Sequence, residues 1–220
     1  MYRTMISIVA GAMTLGSIAL SSADASVFYG DIDELSVTSA SAFHWLDVDG
    51  NGTADIAFDW SYDSWIEDTC ISALTPFGAP TANGFAANQG ASLRLAGGDV
   101  IDGALTYVSD SAMLSDHYDE WEMEYARWGN WDGMAAEETA YLGFSFVGDD
   151  DQIRYGWVRA HVDPGTLFLT VYDYAYEGVP GEGIVAGDMG SPVPLPAGFM
   201  LFASGFAALM GWKRKACGEK

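Results

Sequence analysis

The chain has 220 residues, of which 50% are hydrophobic and 14% aromatic, and its formal net charge is −22. This apolar and aromatic content supports a folded core and excludes a largely disordered chain. Between Ser26 and Pro192 there are four arginines, no lysine and 29 of the 31 acidic residues, so this segment has a net charge of −25. Such a negative field repels nucleic acid and anionic membrane surfaces, and it favours divalent cations or neutral partners.

Residues 1–25 have the three-part layout of a secretory signal peptide. Arg3 supplies the basic region, an apolar run extends from Met5 to Leu20, and Ala23-Asp24-Ala25 forms a small-residue cleavage site. The apolar run is shorter than the roughly 20 residues that a membrane-spanning helix needs. We therefore predict cleavage after Ala25, which leaves residues 26–177 as one acidic extracytoplasmic domain.

Short alternating runs rich in β-branched and aromatic residues predict an all-β domain. In chain order, the predicted strands are Ser41–Asp47, Ala54–Tyr62, Ser92–Leu95, Leu105–Val108, Ala140–Val147, Ile153–Val162 and Thr166–Tyr176. Asp163-Pro164-Gly165 is typical of a tight turn, so the last three strands are expected to form an antiparallel meander. Closely spaced strands with glycine-rich connections favour an antiparallel β-sandwich or jelly roll.

The loop between the first two predicted strands is Asp47-Val48-Asp49-Gly50-Asn51-Gly52-Thr53-Ala54-Asp55. Side-chain oxygens at its positions 1, 3, 5 and 9, a carbonyl at position 7 and glycine at position 6 match most of a Ca²⁺ loop. Phe58 replaces the bidentate acid of an EF-hand and no helix pattern flanks the loop, so it is not an EF-hand. The predicted ligands are Asp47, Asp49, Asn51, Asp55 and the Thr53 carbonyl. The alternative is an Asp/Asn/Gly turn that binds nothing.

The segment from Ser115 to Trp128 is the only candidate helix, although its helical period is poor. Trp121, Trp128 and Trp131 cluster at its end, beside acids and amides. Flat rings in such surroundings suit stacking on sugar rings, which makes the cluster a candidate carbohydrate-binding surface. Tryptophans of a buried core give the same pattern, and the sequence leaves both interpretations open.

The sequence contains no recognisable catalytic motif. His44, His117 and His161 are scattered, and neither a Gly-x-Ser-x-Gly nor an HExxH pattern occurs. Cys70 and Cys217 would lie on opposite sides of a membrane, which excludes a disulfide scaffold. Cys70 is then either a small buried hydrophobe or a free exported thiol. We expect a protein without enzymatic activity.

The C-terminal part of the chain reads as a linker followed by a membrane segment. Residues 178–192 are rich in Gly and Pro and predict the linker. From Val193 to Trp212 there are 20 residues without a charge, and a helix of that length covers about 30 Å, the thickness of a bilayer core. Lys213-Arg214-Lys215 follows and stays cytoplasmic by the positive-inside rule. Residues 193–220 therefore predict a single C-terminal transmembrane helix, with the preceding chain outside.

The same tail carries a resemblance to a known family. Val193, Pro194, Leu195, Pro196 and Ala197, followed by a Gly/Ala/Leu/Phe-rich span and a basic cluster, resemble the VPLPA variant of the PEP-CTERM sorting signal. Tyr155-Gly156-Trp157-Val158-Arg159 also resembles the closing strands of many PEP-CTERM ectodomains. The resemblance implies that an exosortase-type transpeptidase recognises the five motif residues. It also implies delivery to the surface or extracellular matrix of bacteria that make exopolysaccharide.

These features predict an exported, exosortase-sorted protein with a structural or adhesive role at the cell surface or in the matrix. One alternative is a carbohydrate-binding module that contacts extracellular polysaccharide, and another is a secreted glycoside-active enzyme. Ca²⁺ is the one cofactor that the residues suggest.

Overall fold

A computed structural model describes residues 27–64, 68–120 and 123–190. These residues form strands and turns, and no helix occurs among them. The strands are β1 (Val27–Val37), β2 (Phe43–Leu46), β3 (Ile56–Asp63), β4 (Asp68–Leu74), β5 (Gly84–Asn88), β6 (Ala91–Ser92), β7 (Val100–Ile101), β8 (Tyr107–Val108), β9 (Ser111–Glu120), β10 (Met123–Trp128), β11 (Ala140–Val147), β12 (Ile153–Val162), β13 (Leu169–Glu177) and β14 (Ile184–Val185). The predicted all-β class is confirmed.

One continuous sheet organises the domain. Its strands lie in the order β1-β13-β12-β11-β5-β6-β9-β4-β3-β2, with β8 paired to β5 and β10 paired to β9. The two edge strands, β1 and β2, follow each other in the chain and meet at a turn where Thr38 and Ser41 exchange backbone hydrogen bonds of 3.0 and 3.1 Å. The sheet therefore curls on itself and nearly closes, like a barrel.

The predicted meander is confirmed as β11, β12 and β13, which pair antiparallel in chain order. The turn between β12 and β13 is held by the Asp163 carboxylate, which accepts hydrogen bonds from the backbone N–H groups of Gly165 (2.9 Å) and Thr166 (2.8 Å). Asp163 is thus an Asx-type turn residue, which explains why the local sequence was sufficient to predict this hairpin.

The helix predicted from Ser115 to Trp128 is wrong. The segment contributes to β9 and β10, which form an antiparallel pair. In β9, Ala112 and Leu114 are fully buried, and the intervening Met113 is only partly buried. This alternation has the two-residue period of a strand. Pairing of β9 with β4 supplies the backbone hydrogen bonds and fixes the extended conformation.

The main core fills the inside of the curled sheet. Phe58, Phe85 and Phe144, which come from three different strands, are all fully buried there. Phe144 lies opposite Gly156 in the β11–β12 register, and its ring occupies the space over that glycine. A Cβ atom on Gly156 would also lie 2.6 Å from the Ala175 carbonyl oxygen. Glycine at this position therefore allows the aromatic ring to pack against the backbone.

A second, smaller core covers the outer face of β11 and β12. It contains Trp157, 1% exposed, together with Ile184 and Ala186 from the segment predicted as a linker. β14 pairs with β7, and the Trp157 indole N–H donates to the Asp188 carbonyl at 3.2 Å. The linker prediction is therefore corrected for residues 183–188, which are part of the folded domain because they bury apolar surface against it.

Candidate metal centre and other predicted sites

The Asp47–Asp55 loop joins β2 to β3 at one end of the curled sheet. Its base is closed by the last pair of the β2–β3 register, Leu46 and Ile56, and by a 3.0 Å hydrogen bond from the Asp55 N–H to the Leu46 carbonyl. Gly50 and Gly52 have φ angles of 75° and 87°, in the left-handed region that favours glycine. The two glycines thus give the loop the reversals that turn successive acidic side chains inward.

Three predicted ligands converge in this loop. Asp47, Asp49 and Asp55 each offer a carboxylate oxygen, and these oxygens lie within 4.8 Å of one another. Ca²⁺ binds oxygen at about 2.3–2.6 Å, so oxygens on opposite sides of the ion lie about 4.6–5.2 Å apart. The three carboxylates are therefore close enough together to share one cation of that size.

The loop also holds its carboxylates with backbone donors. Asp47 accepts hydrogen bonds from the N–H groups of Gly50 (2.8 Å), Asn51 (3.2 Å) and Gly52 (2.8 Å). Asp55 accepts one from the N–H of Val48 at 2.8 Å. A carboxylate has about four lone-pair sites, so Asp47 keeps one and Asp55 keeps more for a cation. The backbone thus positions the ligands and leaves part of their acceptor capacity.

Asn51, which is also a predicted ligand, makes hydrogen bonds within and beyond the loop, and its ligand role stays a prediction. Its side-chain oxygen accepts a 2.7 Å hydrogen bond from the N–H of Thr53, and its amide nitrogen donates to Asp49 (3.3 Å) and Asp149 (3.0 Å). Asn51 therefore links the loop to the β11–β12 turn, 98 residues away in sequence. The Thr53 carbonyl ligand stays a prediction. Asp149 lies beside the loop on the same acidic surface. This residue could not be found from the sequence, because the spacing of residues within the Asp47–Asp55 loop gives no information about a distant turn.

Electrostatics at the centre favour a positive ion. Asp55 is only 4% exposed, and burial, with the neighbouring charges of Asp49 and Asp47, raises its pKa to about 6. Burial likewise raises the pKa of Asp49. Each shift means that the ionised form is disfavoured in the metal-free loop. A divalent cation between the three carboxylates would remove that penalty, and metal binding would release protons below pH 6.

The structure divides the predicted tryptophan cluster. Trp131 is fully buried in the main core, and its backbone N–H donates to the Leu114 carbonyl at 3.2 Å. No face of its indole is accessible to a sugar, which corrects its predicted stacking role. The backbone of Trp128 ends β10, and Trp121 lies outside the described residues. The core interpretation, which the sequence left open, applies to Trp131.

The three histidines have separate partners. His44 lies 2.7 Å from the Ser41 hydroxyl, His117 lies 3.3 Å from a carboxylate oxygen of Asp132, and His161 lies 2.8 Å from the Glu138 carbonyl. Their scattered positions in the sequence therefore persist in the fold, and the geometry brings no two of them into one hydrogen-bonded unit.

Cys70 lies in β4 and is partly buried. It pairs with Asp116 of β9 in the strand register, and burial raises the pKa of its thiol. A protonated thiol is a poor nucleophile, so the surroundings of Cys70 do not activate it. Burial and the adjacent Asp68 carboxyl also raise the pKa of Asp116, to about 7.

The buried carboxylate of Asp173 has a structural role. Asp173 is 2% exposed and accepts hydrogen bonds from the Arg159 guanidinium (Nε, 2.9 Å) and from the Tyr29 hydroxyl (3.0 Å). These contacts join β1, β12 and β13 at the outer face of the sheet. Both polar partners satisfy the buried carboxylate, so this cluster explains how the sheet tolerates a charge there.

The sorting motif Val193 to Ala197 and the basic cluster that follows the apolar run lie outside the described residues, as does the predicted signal peptide. Within the residues that are described, no helix is long and apolar enough to cross a membrane.

Comparison with known proteins gave no match: no protein-family model, curated protein or solved structure is similar to this chain.

Proposed function

We propose that this chain is exported and sorted to the cell surface or extracellular matrix, where its all-β, barrel-like domain has a structural or adhesive role without catalysis. The observation that carries the proposal is the order of the C-terminal tail: Val193 to Ala197, an uncharged apolar run to Trp212, and the basic residues 213–215. In the resembling PEP-CTERM proteins this order is read by an exosortase-type sorting enzyme.

The physical chemistry of the two ends supports one orientation. A cleavable N-terminal signal exports the chain, and the C-terminal basic cluster holds the end of a spanning helix in the cytoplasm. The acidic domain is then outside, where it is held by the membrane until sorting. A net charge of −25 between residues 26 and 192 keeps such a domain soluble and apart from anionic lipid headgroups.

We also propose that Ca²⁺ occupies the Asp47–Asp55 loop and stiffens it. The support is the convergence of three carboxylates within 4.8 Å, one of them on the buried Asp55. Extracellular Ca²⁺ modules commonly bind with dissociation constants of about 10⁻⁴–10⁻³ M, which suits a partly preformed loop. In this role the ion stabilises the folded domain and takes no part in catalysis.

Deleting Val193 to Lys220 tests the sorting proposal in the native host. We expect the truncated protein to leave the envelope fraction and to accumulate in the soluble periplasmic or medium fraction. The matched control deletes only Ala216 to Lys220, which keeps the motif, the apolar run and the basic cluster. Identical fractionation of the truncated and full-length proteins would refute the sorting claim.

The alternative function is carbohydrate binding at the tryptophan cluster. Trp131 is buried and therefore cannot stack on a sugar, which weakens this alternative. Carbohydrate binding is therefore better examined on the surfaces that the fold leaves accessible.

A further inference from the structure

A cleft of about 400 Å³ opens beside the candidate metal loop. Three segments form its walls: residues 51–55 of the metal loop, Pro76 to Pro80 after β4, and the β11–β12 turn around Asp149 and Asp151. Its volume falls in the range of about 300–1,000 Å³ that is typical of small-molecule sites. The walls come from three distant parts of the sequence, so the curled sheet creates the cleft.

Phe77 is the apolar element of the cleft. Its side chain is fully exposed, whereas a phenyl ring is ordinarily buried. A backbone hydrogen bond of 3.0 Å from the Ala79 N–H to the Pro76 carbonyl closes the turn that carries it, and Gly78 has a φ of 83°. The turn thus presents an aromatic face to solvent, and an exposed ring at a cleft is available for stacking.

Asn83 is the polar element. It is 3% exposed and lines the cleft. Its Oδ1 accepts a 3.0 Å hydrogen bond from the Val147 N–H, which fixes the orientation of the amide. Its Nδ2 donates to no atom of the described residues. This donor is accessible to solvent rather than sealed in the core, so an acceptor oxygen placed in the cleft would accept its hydrogen bond in place of water.

The remaining polar groups of the cleft set the charge of its ligand. The acidic residues Asp55, Asp149 and Asp151 line it, and its described walls carry neither lysine nor arginine. These carboxylates accept hydrogen bonds from hydroxyl groups and repel anions. A sugar hydroxyl both donates and accepts, so it complements a wall that combines carboxylate acceptors with the amide donor of Asn83.

We propose that this cleft binds a neutral glycan, with a sugar ring stacked on Phe77 and a hydroxyl oxygen accepting a hydrogen bond from Asn83 Nδ2. The proposal differs from the tryptophan-cluster hypothesis in the residues involved. It needs neither the sorting tail nor a bound metal, because Phe77 and Asn83 are positioned by their own turn and by β11. The geometry assigns polysaccharide recognition to the loop end of the domain.

The test uses the full-length protein in a detergent without a sugar headgroup, so that the detergent does not compete. Binding to immobilised dextran, mannan and galactan is measured beside polygalacturonate, an acidic polysaccharide, each with Ca²⁺ and with chelator. The variants are Phe77→Ala, Asn83→Asp and Trp45→Ala. Asn83→Asp keeps the acceptor for Val147 and removes the donor. Trp45 is an exposed aromatic residue outside the cleft and serves as the matched control.

We expect at least one neutral polysaccharide to bind, and Phe77→Ala and Asn83→Asp each to weaken that binding about tenfold. Trp45→Ala should bind like the parent protein. Phe77→Ala should also melt like the parent, since its ring is exposed. Absence of binding to all three neutral polysaccharides overturns the proposal, as does equal or stronger binding of polygalacturonate. Wild-type affinity of Phe77→Ala, or loss of binding in Trp45→Ala, overturns the assignment to this cleft.

Discussion

Removing Ca²⁺ should lower the melting temperature of the protein. The size of the shift depends on the affinity of the Asp47–Asp55 loop for the ion, which we infer from the geometry of the loop. A cation stabilises the folded state when it binds that state and not the unfolded chain. Pairing of β2 with β3 holds the two ends of the loop together, and in this folded state the three carboxylates lie within 4.8 Å of one another. Three backbone donors already use part of the Asp47 acceptor capacity, so we expect the weak affinity of extracellular modules, about 10⁻⁴–10⁻³ M.

At 10 mM free Ca²⁺ that affinity gives about 1.4–2.7 kcal/mol of stabilisation. For a domain of this size each kcal/mol moves Tm by about 2–4 °C, so the expected shift is about 3–11 °C. The shift should shrink at pH 5, because the pKa of Asp55 is raised to about 6 and the proton then competes with the ion.

Without Ca²⁺, the contribution of Asp55 to stability changes with pH in the opposite direction, since it falls as the pH rises. The folded state holds a proton on Asp55 between pH 4 and about 6, where the unfolded chain has lost it. The folded state therefore binds more protons, and the contribution of Asp55 to stability is lost as the pH rises through that window. Ca²⁺ should restore stability above pH 6.

The assay is thermal unfolding of the full-length protein in detergent, with 10 mM Ca²⁺ or with chelator, at pH 5 and pH 7.5. Asp55→Asn keeps an acceptor for Val48 and should abolish the response to Ca²⁺. Asp151→Asn removes an acid outside the triad and should retain the response. Superimposable melts of the wild-type protein with and without Ca²⁺ at pH 7.5 would refute the reasoning, as would a full response from Asp55→Asn.

Three further predictions concern the sheet. Asp173→Ala leaves the Arg159 guanidinium without its buried partner and should lower the free energy of unfolding by about 3 kcal/mol in urea titration. Asp150→Asn removes a carboxylate that is exposed and screened by solvent in its ion pair with Arg154, so it should change the free energy of unfolding little; equal losses would contradict the assignment. Gly156→Ala forces a methyl group against the Ala175 carbonyl and the Phe144 ring, so we expect a loss of about 1–3 kcal/mol, and an unchanged urea midpoint would be incompatible with that contact. Asp116→Asn removes a carboxyl whose pKa is raised to about 7 by burial and by Asp68, so Tm should rise more at pH 8 than at pH 5; the same gain at both pH values would assign the effect to another cause.

The features that the sequence predicted correctly are those set by neighbouring residues. β11, β12 and β13 follow from β-branched and aromatic runs around Asp163-Pro164-Gly165, and the Asp163 carboxylate does bond the turn that it predicted. The convergence of the Asp47, Asp49 and Asp55 carboxylates is similar, because their spacing and the two glycines are local properties; Ca²⁺ binding there stays a prediction. Because β2 and β3 are paired on either side of the loop, the short chain between them has little freedom to place these carboxylates elsewhere.

The wrong predictions fall where long-range pairing decides. Acids mixed with aromatic residues between Ser115 and Trp128 hide the two-residue period of β9, and only pairing with β4 makes it visible. Residues 183–188 have the composition of a linker, yet Ile184 and Ala186 are buried over Trp157. Composition describes what a segment prefers alone, whereas burial depends on the surface that another segment offers.

By itself, the sequence determined the all-β class, the last hairpin and the inward carboxylates of the Asp47–Asp55 loop, because each depends on residues within a few positions of one another. Only the tertiary structure placed Trp131 in the core, brought Asp149 to Asn51 and opened the cleft that carries Phe77 and Asn83. Those contacts join segments tens of residues apart, and closure of the curled sheet is the event that brings them together.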